Sequence, residues 1–197
     1  MSVFFSVLEL AFLIFVVLFE YYVVYAFFRS KMGKYPPYVP TRKGVVNAIL
    51  NEFSPFLEES EVSLNVTEPG CGDARIIAAF AKRFPRHRFT GYEWDGIPYF
   101  FAKIRTRKLK NVRILRQNFM QADYTKDNLV ILFMGNEIAA ELSAKLSADL
   151  PDKALVLSQC FRLPDMTCVK EIETAKENYF FLPPKLYVYR IERPETP

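Results

Sequence analysis

The chain has 197 residues and a formal net charge of +4, and 51% of its residues are hydrophobic. This length allows one ordinary domain plus an appendage, and the charge is too small to indicate nucleic-acid binding by itself. Three cysteines without a CxxC pair argue against a disulfide framework or a zinc site and favour a reducing compartment. The single histidine, His87, excludes a multi-histidine metal site, so we expect no bound metal; we expect His87 itself to be exposed and without a catalytic role.

The first segment of the chain is its most apolar part. Val3 to Phe28 is apolar except for Ser6, Glu9 and Glu20. As a helix this segment would be about 39 Å long, which exceeds the ~30 Å thickness of a bilayer's hydrocarbon core. A cleaved signal peptide would have a basic start and a small-residue cleavage site, and both are missing. The sequence therefore predicts a retained transmembrane anchor over residues 1–29.

The charges beside this anchor predict its orientation. No Lys or Arg precedes it, whereas Arg29, Lys31, Lys34, Arg42 and Lys43 follow it. Since cytoplasmic flanks carry the excess of basic residues, we expect a single-pass membrane protein with its C-terminal part on the cytoplasmic, or equivalent organellar, side.

A basic, proline-rich linker is predicted over residues 30–40, followed by one domain over residues 41–193. Thr41 is the expected N-cap of a helix that continues to about Phe53. Pro55 and the acidic residues after it are expected to end that helix.

The rest of the domain alternates strand-like and helix-like segments. Strands are predicted at 63–67, 88–92, 112–115, 128–134 and 154–158, helices at 74–84, 97–108 and 137–149, and a terminal strand pair at 169–174 and 186–191, around a loop with Pro183 and Pro184. This alternation predicts an α/β fold with a doubly wound, mainly parallel sheet.

A glycine-containing loop follows the first strand of this sheet. Gly70 and Gly72 allow a sharp turn and a close approach of the backbone to a ligand. The third glycine of a dinucleotide-binding loop is replaced by Arg75, so that class of cofactor is not favoured. Glu68 and Asp73 would repel a pyrophosphate but suit a ligand with an ammonium group, such as the methionine part of S-adenosylmethionine.

Two further strand ends carry polar residues in the order that such a cofactor requires. Glu93 follows the second strand, where a carboxylate can bind both ribose hydroxyls. Asn118 and Phe119 follow the third strand, where they can bond to an adenine amino group and lie against the ring.

These residues resemble class I, Rossmann-like methyltransferases, and more narrowly the membrane-anchored protein-lysine N-methyltransferases, which include the mitochondrial enzymes for the adenine nucleotide translocase and the ATP synthase c subunit. The resemblance is carried by PPYVPT (Pro36–Thr41), EPGCGDAR (Glu68–Arg75), GYE (Gly91–Glu93), the strand-four run through Phe133-Met134, and SQCFRLPDM (Ser158–Met166). It covers roughly residues 36–191, with a hydrophobic segment in front as in that family.

The resemblance implies S-adenosylmethionine as the cofactor and a set of residues to bind it. Those implied are Glu68, Gly70, Cys71, Gly72 and Asp73 for the methionine end, Glu93 for the ribose, and Asn118 with Phe119 for the adenine. The PYVPT segment would cover the cofactor or the target side chain, and Tyr38, Phe133 and Met134 are the expected pocket residues. No catalytic base is assigned, because methyl transfer to an amine needs none.

Three functions remain open from the sequence. The resemblance favours methylation of a protein lysine by an enzyme tethered to a membrane, with a membrane protein as one kind of substrate. The tether equally suits methylation of a small lipophilic molecule or a lipid headgroup. At the positions of Glu68, Ala74 and Asn118, members of the family usually have Asp, Gly and Asp. These three departures would suit an inactive scaffold that binds the cofactor.

Nucleic acid is not an expected partner. Strand four is followed by Met134-Gly135-Asn136-Glu137 and not by the (D/N)PPY motif of enzymes that methylate adenine or glutamine amides. A basic run does occur, comprising Lys103, Arg105, Arg107, Lys108, Lys110, Arg113 and Arg116. It is expected to be a solvated surface, with anionic lipid headgroups a better functional partner than RNA.

Overall fold

The computed structural model describes residues 2–31, 38–174 and 185–193 of the chain. Pro36, Pro37, Pro183 and Pro184, which the sequence places in a linker and a loop, lie outside the described residues. The chain divides into two compact units, Met1–Pro37 and Tyr38–Pro197.

The first unit contains one long helix, α1 (Ser2–Lys31). Its segment Val7–Tyr25 has a mean hydropathy of 2.3, and none of it is buried within the protein. Length and composition thus meet the requirement for crossing a membrane, as they also do in a signal sequence.

The second unit is built on a seven-stranded sheet with the strand order β3-β2-β1-β4-β5-β7-β6. The strands are β1 (Asn65–Pro69), β2 (Arg88–Tyr92), β3 (Val112–Leu115), β4 (Leu129–Leu132), β5 (Leu155–Gln159), β6 (Cys168–Glu173) and β7 (Lys185–Arg190). β1 to β5 are mutually parallel, whereas β7 lies antiparallel to both β5 and β6. The predicted fold class is confirmed.

Within the described residues, four helices accompany this sheet: α2 (Lys43–Glu58), α3 (Arg75–Arg83), α4 (Gly96–Thr106) and α5 (Asn136–Asp149), with a short 3-10 helix at Phe119–Gln121. β1 lies between β2 and β4, so the strand order reverses there. Parallel strands on either side of such a reversal leave a crevice at their carboxyl ends, which is where doubly wound sheets bind ligands.

The apolar β4 explains how the sheet holds helices on both faces. Leu129 and Ile131 pack into a core with α2 and α3, whereas Val130 and Leu132 pack into a second core with α5. Side chains alternate between the faces of a strand, so a run of four apolar residues fills both cores and fixes β4 in the centre.

The helix α2 differs from its prediction at both ends. It begins after Arg42, and Thr41 is not its cap: the Thr41 hydroxyl instead donates to Oε1 of Gln159 over 3.4 Å. It also continues through Pro55 to Glu58. The last turn is retained because its residue Leu57 is buried in the core, which offsets the backbone hydrogen bond that proline cannot make.

The expectation of an exposed His87 is wrong. The imidazole is buried: its Nδ1 accepts from the Leu64 backbone N–H over 3.1 Å, and its Nε2 lies 2.8 Å from the Leu57 carbonyl oxygen. Since Nδ1 is an acceptor, Nε2 carries the proton and donates to Leu57. His87 therefore connects the end of α2 to the start of β1, which is a structural role.

Candidate cofactor site

The site is centred on the loop between β1 and α3, residues 70–74. Gly70, Gly72 and Ala74 have φ angles of 65°, 56° and 57°, values that L-residues other than glycine rarely adopt. The Cys71 N–H donates to the Tyr92 carbonyl of β2 over 2.9 Å. The loop is therefore tightly wound and anchored to the neighbouring strand.

Two of the predicted pocket residues flank the glycines of this loop. A Cβ atom on Gly72 would lie 2.3 Å from the ring of Tyr38, and one on Gly70 would lie 3.0 Å from Cε of Met134. No side chain fits at Gly72 without displacing Tyr38. The positive φ angles favour glycine at both positions, and at Gly72 the close packing of Tyr38 also requires it.

The third predicted pocket residue, Phe133, lies at the carboxyl end of β4. Its ring stacks on that of Phe161, with the ring centroids 6.4 Å apart, in the segment after β5. Both rings are half-buried. The ends of β4 and β5 therefore carry an aromatic pair.

Glu93 connects the end of β2 to the glycine loop. One of its carboxylate oxygens accepts from the Gly72 N–H over 2.9 Å, and the other accepts from the Asp95 N–H over 2.7 Å. Burial raises the pKa of Glu93, and these backbone donors oppose that rise. A carboxylate has about four lone-pair sites, which is more than these backbone donors occupy, so the group can accept a further hydrogen bond from a ligand.

Glu68 is buried in β1 beneath the start of α3. Its Oε2 accepts from the Ile77 N–H in the first turn of that helix over 3.3 Å. Burial raises its pKa well above the usual range. The carboxyl group therefore supports the loop from below.

Asp73 is held by two arginines. Arg75 donates from Nε and Nη2 to its two carboxylate oxygens over 2.9 and 2.8 Å, and Arg105 of α4 donates from Nη2 over 2.5 Å and from Nε to the Asp73 carbonyl over 2.8 Å. Burial raises the pKa of Asp73, but the hydrogen bond and charge of Arg75 and the charge of Arg105 outweigh this and lower it. The carboxylate stays ionised and fixes the loop to α4.

Arg75 also joins the loop to the segment before α2. Its Nη1 donates to the Thr41 carbonyl over 2.8 Å, and its Nη2 lies 3.3 Å from the Tyr38 hydroxyl. Burial, followed by the negative charge of Asp73, raises the pKa of Tyr38 to about 12. Residues 38–41, which the sequence assigned mainly to a linker, are therefore part of the site.

The sequence did not identify the roles of Arg75, Arg105, Thr41 and Gln159. In the sequence, Arg75 stands at the missing third glycine and ends the EPGCGDAR motif, and Arg105 belongs to a basic run that is expected to be solvated. The one available signal was Arg75 following Asp73 at a spacing of two, which permits a local ion pair. The contacts of Arg105 and Gln159 join residues distant in the chain, which no local pattern indicates.

Three other predicted cofactor residues have their side chains occupied or buried. The Asn118 Oδ1 accepts from the Met120 N–H over 2.9 Å and caps the 3-10 helix, while its amide nitrogen remains available. Phe119 is buried in the core with α5. The Cys71 side chain is buried, and a Cβ on Gly91 would lie 2.7 Å from its Sγ, so Cys71 can meet a ligand only through its backbone.

The donor and acceptor set fits S-adenosylmethionine. Two glycines at positive φ let the loop backbone lie close to Tyr38 and Met134, and Glu93 presents acceptors beside it. The acceptors of Glu93 suit the hydroxyl groups of a ribose, and they offer no donor to a pyrophosphate. Among the residues that the structure describes, no group of three or more His, Cys, Asp or Glu side chains is placed to hold a metal ion.

Fold and site together define a class I, Rossmann-like methyltransferase that uses S-adenosylmethionine. Solved structures of similar fold include an RNA methyltransferase from Salinibacter ruber in complex with S-adenosyl-L-homocysteine, with a TM-score of 0.66, 21% identity, and coverage of 80% of this chain and 98% of that one. A putative methyltransferase from Escherichia coli, yhhF, matches with a TM-score of 0.58 at 17% identity and covers 79% of this chain and 89% of its own.

Sequence similarity identifies the family of this chain. The model of the ANTKMT methyltransferase domain matches residues 68–170, just over half of the chain. A protein-lysine N-methyltransferase from Saccharolobus islandicus (strain REY15A) is 30% identical over 132 residues, which are 64% of this chain and 78% of that protein. The chain belongs to the ANTKMT methyltransferase family.

Proposed function

We propose that this methyltransferase transfers the methyl group of S-adenosylmethionine to a lysine side chain of a protein, while α1 tethers it to a membrane. The family match and the lysine-modifying relative from Saccharolobus islandicus support the choice of substrate. The observation that carries the proposal is the apolar and aromatic lining of the crevice, where Tyr38 and Met134 lie against the two loop glycines.

The cofactor supplies a methyl group made electrophilic by its sulfonium. Around it, the backbone of Gly70, Cys71 and Gly72 would approach the methionine end, with Glu68 supporting the loop from below. Asp73 would act mainly through its arginine contacts, by holding the loop in place.

At the other end of the cofactor, Glu93 would accept hydrogen bonds from the ribose hydroxyls through the lone pairs that Gly72 and Asp95 leave free. The amide nitrogen of Asn118 would donate to the adenine. Phe119 is buried in the core, so it would hold the 3-10 helix in place and would not stack on the adenine ring.

A lysine must be neutral to attack a methyl carbon, and an apolar pocket favours the neutral amine. Tyr38, Met134 and Phe133, with Phe161 stacked on it, would form the walls that exclude water from the amine and orient it. The raised pKa of Tyr38, about 12, keeps its hydroxyl protonated at neutral pH, so it would position the substrate and not act as a base.

The tether is proposed from α1, whose segment Val7–Tyr25 has the length and composition of a membrane span. Arg29, Lys31 and Lys34 follow this segment directly. By the positive-inside rule the catalytic domain would then lie on the cytoplasmic or equivalent organellar side.

The test uses the full-length chain in nanodiscs with methyl-labelled S-adenosylmethionine and membrane extracts from cells that lack the enzyme. We expect label in protein, recovered as methyllysine after hydrolysis, and loss of labelling in Gly72→Arg. Gly135→Ala is the control, because a Cβ at Gly135 meets nothing within 4 Å. Label in the organic extract instead would assign a lipid or small lipophilic substrate, and cofactor binding without any transfer would contradict the proposal.

A further inference from the structure

The helix α4 exposes large apolar side chains on its outward side and buries smaller side chains on its inward side. Its buried residues are Pro98, Ala102 and Thr106. Its outward apolar residues, together with Trp94 just before it, form what we term the α4 face: Trp94 (47% exposed), Ile97 (57%), Phe100 (59%), Phe101 (53%) and Ile104 (43%). Large apolar groups ordinarily face the core of a helical protein, so this arrangement indicates a surface for binding.

Helical spacing makes these residues contiguous. Ile97, Phe100, Phe101 and Ile104 stand at positions i, i+3, i+4 and i+7, which lie on one side of a helix. The rings of Phe100 and Phe101 pack edge to face with their centroids 5.8 Å apart. Exposed side chains scattered singly need no explanation, but a contiguous aromatic stripe does.

The charge of α4 and of the segment after it has one sign, and the nearest acidic residues in the chain, Glu93 and Asp95, precede the helix. Residues 96–122 contain no Asp or Glu, and they contain seven basic residues: Lys103, Arg105, Arg107, Lys108, Lys110, Arg113 and Arg116. Among the described residues, Arg105 alone of these is recorded in an ion pair, with Asp73. Lys103, Arg107, Lys108 and Lys110 are exposed at or just beyond α4. The face thus combines aromatic and aliphatic groups with unneutralised positive charge.

We propose that the α4 face docks the catalytic domain onto an anionic lipid bilayer, with the apolar side chains in the interfacial layer and the surrounding lysines and arginines at the headgroups. Helices that lie in the plane of a membrane carry Trp, Phe or Leu on one side and Lys or Arg beside them. Each basic residue near an anionic surface strengthens binding about fivefold. A nucleic acid would also meet the basic residues, but Ile97 and Ile104 offer it no stacking plane.

Docking at this face would bear directly on the site. Arg105 projects from the same helix and holds the carbonyl and carboxylate of Asp73 in the glycine loop. The helix that touches the bilayer would therefore also position the cofactor loop, which would present the pocket to lysines of membrane proteins close to the bilayer surface. This inference rests on the proposed tether only for delivery of the domain to a membrane.

Trp94, the sole tryptophan of the chain, belongs to the α4 face and provides the readout. The full-length protein is reconstituted into zwitterionic vesicles or into vesicles that also contain anionic lipid, which gives the negative surface potential of a cytoplasmic leaflet. The acyl chains of the lipids carry bromine. We expect blue-shifted Trp94 emission that is quenched by the brominated lipid, at least about threefold more strongly in anionic vesicles.

Two exposed variants test the two components of the face. Phe100→Ser with Phe101→Ser should abolish the quenching, and Lys103→Glu with Lys108→Glu should abolish the preference for anionic lipid. Matched controls are Val62→Ser with Val169→Ser, which alter apolar side chains exposed elsewhere, and Lys82→Glu. The controls should retain both signals.

The outcomes separate this inference from the tether. Protein that floats with vesicles while Trp94 remains unquenched, or is quenched equally in all variants, overturns docking and leaves the tether intact. Protein that does not float overturns both. If a single-stranded RNA changes the Trp94 emission and abolishes its quenching by anionic vesicles, the α4 face binds nucleic acid and the proposal is overturned.

Discussion

Buried carboxyl groups occur at both ends of the parallel strands, and their surroundings differ. At the carboxyl ends, Glu68 and Glu93 accept hydrogen bonds from backbone N–H groups of the glycine loop and the turns beside it. At the amino end of β4, the Oδ2 atom of Asp127 is buried and has no hydrogen-bond partner among the described residues. Burial raises the pKa of all three groups.

The comparison shows what turns a buried carboxylate into part of a site. Burial raises the pKa of Asp127 to about 6 and costs stability, although a hydrogen bond with Thr67 opposes the rise. At Glu93 the same burial is accompanied by two backbone donors that fix the loop against which a ligand would lie. Four predictions test this difference, in order of decreasing effect.

Gly72→Ala should remove cofactor binding, with a loss of at least about 100-fold, because a Cβ there would overlap the Tyr38 ring and would be strained at a φ of 56°. Calorimetric titration of the full-length protein with S-adenosylmethionine measures the loss. Gly135→Ala, at a site with open space, should bind like the unaltered protein. Equal affinity in both variants would show that the loop is not the binding site.

Asp127→Asn should flatten the dependence of stability on pH. The folded pKa of about 6 lies above the ordinary 3.8, so the contribution of this group is full below pH ~4 and is lost as pH rises through 6. Relative to the variant, the unaltered protein should lose on the order of 2–3 kcal/mol between pH 4 and pH 8. Urea unfolding in detergent at several pH values measures this.

The control for that comparison is Asp165→Asn, which removes an exposed carboxylate. It should leave the pH dependence of the free energy of unfolding as it is in the unaltered protein. A parallel pH dependence in Asp127→Asn and the unaltered protein would mean that the buried carboxyl group of Asp127 does not titrate as described.

Glu93→Ala should weaken cofactor binding by about tenfold to thirtyfold, because it leaves the N–H groups of Gly72 and Asp95 without their acceptor and removes the acceptor offered to the ribose. The same titration measures it, beside Glu141→Ala on the exposed side of α5. An unchanged affinity in Glu93→Ala would remove Glu93 from the proposed site.

Tyr38→Phe should have the smallest effect, under about threefold on cofactor affinity, because the ring that packs on Gly72 is kept and only the contacts of the hydroxyl with Arg75 and Asp73 are lost. Tyr38→Ala, which removes the ring, should weaken binding more than Tyr38→Phe does. Equal losses in the two variants would show that the hydroxyl, and not the ring, supports the loop.

Much of the fold could be predicted from the sequence because its signals are local. β2 and β3 have the predicted bounds, and the other strands lie within two residues of theirs. The apolar run of β4 predicts burial on both faces because any strand there must be covered on both sides. The ends of α2 were wrong because burial of Leu57, a tertiary effect, extends the helix past Pro55.

The site was predictable in part, for the same reason. Gly70, Gly72 and Glu93 stand at strand ends, and a doubly wound sheet brings such ends together whatever the details of packing. His87 was misplaced because its two hydrogen-bond partners, Leu64 and Leu57, are backbone groups that become adjacent only after folding.

The sequence by itself determined the strand and helix order, the crevice at the carboxyl ends and the choice of S-adenosylmethionine over a dinucleotide, because these follow from periodicity and from a motif within eight residues. The tertiary structure decided that Asp73 is held by Arg105 from 32 residues away, that Tyr38 packs on Gly72, and that α4 turns its aromatic side outward. These contacts form only when the helices pack on the sheet, because they join residues that are distant in the chain. The local spacing of residues therefore does not predict them.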